Sequence, residues 1–160
     1  DLAVGARADD HSGAFAGHTK VFSISTPAPV FHCETSPNTT GDGAVISFSG
    51  SVCAAAGDFV LEVDGATAGQ FGIFYHGQNA IQVAFGSGWR CAGGGIQRLA
   101  VLSVDEFGHA ADEPIWELLG SGRGGLAVGE TRNFQFWYRD PSDGAAGFNL
   151  SDALGATFAP

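Results

Sequence analysis

The sequence predicts an all-β fold, an antiparallel β-sandwich or jelly roll, and three observations carry that expectation. Glycine fills 25 of the 160 positions and, with Ser, Thr and Asp, interrupts almost every apolar stretch before three helical turns could form. Where apolar residues recur they alternate with polar ones, which is the period of a strand with one buried face. Gly- and Asp-rich turn signals separate these stretches about every 8 to 15 residues, the spacing of short antiparallel strands.

Taken in order, residues 1–26 differ in character from the rest and end at Pro27 and Pro29, which mark a boundary or stiff connector. Val45, Phe48 and Val52 lie in a run of small and β-branched residues that reads as a strand. The next strand places Phe59, Leu61 and Val63 on one face and Val60 and Glu62 on the other, and the short segment from Cys53 to Asp58 suits a hairpin or corner between the two. Further strands are expected at Ile73 to His76, Ile81 to Phe85, Ile96 to Val104, Ile115 to Leu119, Thr131 to Arg139 and Leu154 to Phe158. Ile115 to Leu119 also fits a helical turn before the glycine-rich stretch that follows. Two domains are thus expected to be 1–26, a β segment, and 27–160, the sandwich.

Composition excludes several functions. Seven basic against seventeen acidic residues leave a net charge of −10, and the only lysine is Lys20, so the chain lacks the cations that neutralise a nucleic-acid backbone or an acidic membrane surface. No apolar run approaches the roughly 18 residues of a membrane-spanning helix. Methionine is absent, as expected of a processed product or a piece of a longer chain.

Residues 1–26 resemble the end of an FG-GAP repeat, the unit of integrin-alpha-like β-propellers. The matching residues are Asp1-Leu2-Ala3-Val4-Gly5-Ala6, Asp9-Asp10, Gly13, Gly17 and Val21-Phe22, with Arg7 where that family usually has Pro. A propeller needs several such repeats, so the segment is a partial one. From about Phe31 onward the chain is similar to a domain common at the carboxyl ends of exported, repeat-containing bacterial proteins. That likeness rests on Cys33 with Asn38-Thr39-Thr40-Gly41, Phe71-Gly72-Ile73-Phe74-Tyr75, Arg90-Cys91 with Gly93-Gly94-Gly95, Phe136-Trp137-Tyr138-Arg139-Asp140-Pro141 and Phe148-Asn149-Leu150-Ser151-Asp152. It implies an extracellular, secreted or cell-surface β-domain and no particular activity.

Chemistry-bearing motifs are sparse. The five histidines form no HxH or HExxH spacing, no GxSxG elbow occurs, and Gly93-Gly94-Gly95 lacks the Lys-Ser/Thr of a phosphate loop. No feature selects one carboxylate pair for glycosidic cleavage. Asp105, Glu106, Asp112 and Glu113 flank Gly108 without calcium-loop spacing and read as a charged β-hairpin tip. Neither an enzyme nor a cofactor is expected. Three cysteines allow one pair; a simple hairpin would hold Cys33 and Cys53 far apart, so Cys91 is the expected partner of one of them, with Cys33–Cys91 preferred and Cys53 left buried or free. Trp137, Arg139 and Asp140 read as a structural turn, with Phe136 and Tyr138 on one face, Trp137 on the other, and Arg139 paired to Asp140.

Two functional readings follow. In the first, the domain is a structural or adhesive one that self-assembles by donating its amino-terminal strand through Val21, Phe22 and Ile24, its partners being copies of itself or an upstream propeller. In the second, Tyr75, Trp89 and Trp116 are exposed aromatics that stack on glycans, as in a carbohydrate-binding module.

Overall fold

The computed structural model describes residues 27–112, 114–115, 126–144 and 146–160, together with the backbone of two short strands in the amino-terminal segment. Those two, β1 (Leu2–Gly5) and β2 (Thr19–Phe22), pair antiparallel with Leu2 opposite Phe22 and Ala3 opposite Val21, forming a sheet of their own. One hydrogen-bonding edge of β2, the segment expected to be donated, is therefore occupied within the chain. Ile24 lies outside the described residues.

The remaining strands are β3 (Val30–His32), β4 (Val45–Ser49), β5 (Val60–Asp64), β6 (Phe71–Gly77), β7 (Asn79–Phe85), β8 (Gly88–Gly93), β9 (Gln97–Ser103), β10 (Ala110–Ala111), β11 (Thr131–Arg139) and β12 (Phe148–Thr157). They form an antiparallel β-sandwich. One sheet has the order β10-β5-β4, the other β3-β12-β11-β6-β9, and β7 and β8 pair only with each other.

Alternation explains the core between the two sheets. Phe59, Leu61 and Val63 share one face as expected, and it is the inward one; Phe134, Phe136 and Tyr138 meet them from β11 with no exposed surface. Phe74, Leu154 and Phe158 complete this layer, and Phe59 meets Phe158 edge to face at 5.1 Å. Across the layer, the Asp152 carboxylate accepts from the Ile46 amide at 2.7 Å, tying β12 to β4.

Several boundaries differ from expectation. Strand β12 starts at Phe148, not Leu154, because its polar residues are satisfied inside the protein. Asn149 donates to the Pro37 carbonyl at 2.9 Å, and the Ser151 hydroxyl accepts from the Phe136 amide at 3.0 Å. The Asp105–Gly108 turn is not a hairpin tip, since β9 and β10 belong to different sheets and the turn carries the chain from one to the other. Of Ile115 to Leu119, only Ile115 is described; it is buried and its amide donates to the Phe59 carbonyl at 3.0 Å.

His76 sits on the core side of β6 with 1% exposure, its ring 5.5 Å from that of Phe134, and neither ring nitrogen has a hydrogen-bond partner. Burial, aided by the Arg132 guanidinium, pushes its pKa down to about 4. The unfolded chain then binds a proton near pH 6.5 that the folded chain refuses until about pH 4. Stability from this residue is full above pH 6.5 and is expected to fall by about 3 kcal/mol as pH drops toward 4. Urea melts from pH 7 to pH 4 check it: His76→Leu is expected to flatten the slope between about pH 4 and 6.5, and an unchanged slope contradicts the assignment.

Candidate functional site

The outer face of the five-stranded sheet, away from the core, is only partly covered. The β7–β8 hairpin folds back over it, and Tyr75, Ala92 and Leu150 pack beneath, with Trp137 and Phe148 alongside. The hairpin can sit this close because Gly77 and Gly93 cross without side chains: a Cβ on Gly77 would lie 2.2 Å from the Gly93 carbonyl oxygen. At its tip, Gly86 adopts φ +64° against the Phe148 ring, where a side chain would have neither backbone freedom nor space.

Beside the hairpin lies an open groove of about 590 Å³. Register places its floor: Trp137 stands opposite Ile73 on one side and Leu150 on the other, so one outward row crosses three strands. Phe148 links this row to the hairpin, 5.5 Å from Trp137 and 5.3 Å from Phe85 between ring centroids. Ile96, Arg98 and Val101 form the far wall along edge strand β9. Phe85, Ile96 and Val101 are exposed here, which makes the groove a contiguous apolar surface in contact with water.

Among the described residues, two guanidiniums are the charges that line it. Arg90 lies over the Phe85 ring at 5.7 Å, a cation–π contact, and its Nε is shut off from solvent without a partner. Arg98 is exposed on β9. Neither takes part in an ion pair among the described residues, where the pairs are His109 with Asp64 and Arg132 with Glu130. Among the described residues no carboxylate lines the groove.

Beside the floor and under the hairpin, the fully buried Gln135 holds the hairpin to the sheet. Its Oε1 accepts from the Tyr75 hydroxyl and from the Cys91 amide at 2.8 Å; its Nε2 donates to the carbonyls of Trp89 at 2.7 Å and Ser151 at 2.6 Å. Burial pushes the Tyr75 phenol well above the ordinary tyrosine range, so it stays protonated and spends its proton on Gln135.

A second anchor is covalent. Cys33, just past β3, and Cys91, in β8, are joined in a disulfide with Cα atoms 6.1 Å apart, leaving Cys53 unpaired. Cys33 is the non-glycine residue with positive φ, +70°, among those described.

Other expected site residues fall out differently. Tyr75 is 6% exposed, so it is floor and not a platform for sugars, while Trp89 is exposed but does not line the groove. Trp116 lies outside the described residues. Trp137 lies on the opposite face from Phe136 and Tyr138, as expected, and that face is the outer one. The turn at Asp140, however, is not held by Arg139: Asp140 is fully buried and accepts from the Thr39 hydroxyl and from the Thr39 amide at 3.0 Å, whereas Arg139 is exposed. Thr39 took this role because the preceding Asn38 turn, closed by Asn38 Oδ1 accepting from the Thr40 and Gly41 amides at 2.9 Å, points it at the buried carboxylate.

Among the described residues no group of three or more His, Cys, Asp or Glu gathers as metal ligands, and no helix is long and apolar enough to cross a membrane. In comparisons with known proteins, no family model, curated protein or solved structure matches the chain.

Proposed function

We propose that the chain is a non-enzymatic, extracellular domain of structural or adhesive type whose contact surface is the groove beside the β7–β8 hairpin. The observation that carries this reading is the groove's composition among the described residues: apolar and aromatic walls with two arginines, one holding a buried and unpartnered Nε, and no carboxylate. Such a surface suits an apolar body bearing an anionic group. It lacks a nucleophile with an adjacent base, and its one phenol is committed to Gln135. The Cys33–Cys91 disulfide supports an oxidising compartment, and the FG-GAP-like opening supports placement in an exported protein.

A carbohydrate-binding module is a weaker fit. Neutral sugars are held by paired amide or carboxylate partners as well as by rings, and the groove offers only guanidiniums, with Trp137 and Phe148 tilted by 37°.

The aromatic sulfonate 8-anilinonaphthalene-1-sulfonate tests the reading. It is expected to bind saturably with enhanced fluorescence, and Arg98→Glu, at an exposed side chain, is expected to weaken binding about tenfold or more without lowering the melting temperature. Absence of saturable binding contradicts the proposal. Displacement of the dye by a neutral cello-oligosaccharide moves the groove to the glycan reading.

A further inference from the structure

The most exposed large apolar side chain among the described residues is not in the groove. Phe107, with 83% of its surface open, stands at the tip of the turn between β9 and β10. The turn is rigid: Asp105 Oδ1 accepts from the Phe107 amide at 2.9 Å and the His109 amide at 2.8 Å, and the Gly108 amide donates back to the Asp105 carbonyl at 3.2 Å. It is also pinned to the smaller sheet, since the Ala66 amide donates to the Gly108 carbonyl at 3.0 Å. A preformed knob therefore presents one phenyl ring flanked by the carboxylates of Asp105 and Glu106. The backbone amides hold the Asp105 carboxylate in its charged form.

We infer that the groove's occupant is this knob on a second copy of the chain. The inference rests on the reading of the groove as a contact surface and names what fills it. The chemistry is complementary: a phenyl ring enters an aromatic-walled groove whose described lining has arginines and no carboxylate, and Glu106 beside the ring meets Arg90 or Arg98. The knob is anchored beside the three-stranded sheet, while the groove opens on the outer face of the other, so Phe107 serves a neighbour and not its own groove. Because the two patches differ, the contact is head-to-tail and propagates into open chains instead of closing as a symmetric dimer. One ring buries roughly 150–250 Å², well below the ~1,000 Å² of a stable interface, so association is weak between free copies and gains strength where copies are tethered side by side.

Sedimentation velocity over a range of concentrations tests this. The unaltered chain is expected to associate with rising concentration, less so in high salt. Phe107→Ser and Arg98→Glu, both on exposed side chains, are each expected to remain monomeric with unchanged melting temperatures. Mixed together, the two variants are expected to form one-to-one pairs that grow no further, because one supplies only a working groove and the other only a working knob. A monomeric parent chain, association that survives either change, or variants that fail to pair on mixing overturns the inference. If the parent chain is monomeric yet still binds the sulfonate dye, the groove reading stands and only its occupant is wrong.

Discussion

Gln135→Leu is expected to destabilise the domain by about 3–5 kcal/mol. Leucine fills much the same volume, so the effect isolates hydrogen bonding from packing. Four groups lose their partner at once: the Tyr75 hydroxyl, the Cys91 amide and the carbonyls of Trp89 and Ser151. Each buried polar group left without a partner costs about 1–3 kcal/mol, and local relaxation recovers part of the sum. Urea denaturation reads it as a lower midpoint at constant slope. Tyr75→Phe removes one of the four and should cost about 1 kcal/mol; in the Gln135→Leu background it should cost less, since the phenol has already lost its acceptor. A loss below about 1 kcal/mol for Gln135→Leu contradicts the role given to this side chain.

Removing the Cys33–Cys91 bond, by the double change to alanine, is expected to cost about 4 kcal/mol. The bond closes a loop with a sequence separation of 58, and the chain-entropy relation for a loop of that size returns about this value. For a chain of this length the melting temperature should fall by roughly 8–16 °C. The effect is also local, because the disulfide joins the end of β3 to β8 and so pins the hairpin that walls the groove. Relief of the positive φ at Cys33 offsets only part of it. Mass spectrometry of an unreduced digest should recover the Cys33–Cys91 peptide; recovery of a bond to Cys53 contradicts the assignment, as does a melting temperature unaffected by reduction.

The fold was legible where side-chain period and environment agree. Phe59, Leu61 and Val63, and Phe134, Phe136 and Tyr138, alternate into the core because each lies on a strand with one apolar face. Strand β12 was legible only in its second half: Asn149, Ser151 and Asp152 look like turn residues, and their place in the strand depends on partners in distant segments, such as Pro37, Phe136 and Ile46. The groove was harder to see. Its lining comes from six strands, and Phe85 and Phe148, more than sixty residues apart, become neighbours only when the hairpin folds back. Tyr75 read as an exposed aromatic because its acceptor, Gln135, lies sixty residues on, and nothing local marks either residue. The Gly86-Ser87 turn was the one local signal: it sets Arg90 opposite Val83, close enough to Phe85 for its guanidinium to lie over that ring.

The central claim, that the groove is the working surface, is tested most directly by amide chemical shifts during titration with the aromatic sulfonate. Saturable shifts are predicted at Ile73, Phe85, Arg90, Arg98, Trp137 and Phe148, with Trp89 side-chain and Asp140 signals unmoved. Shifts centred elsewhere on the domain, or none at saturating dye, would contradict the account.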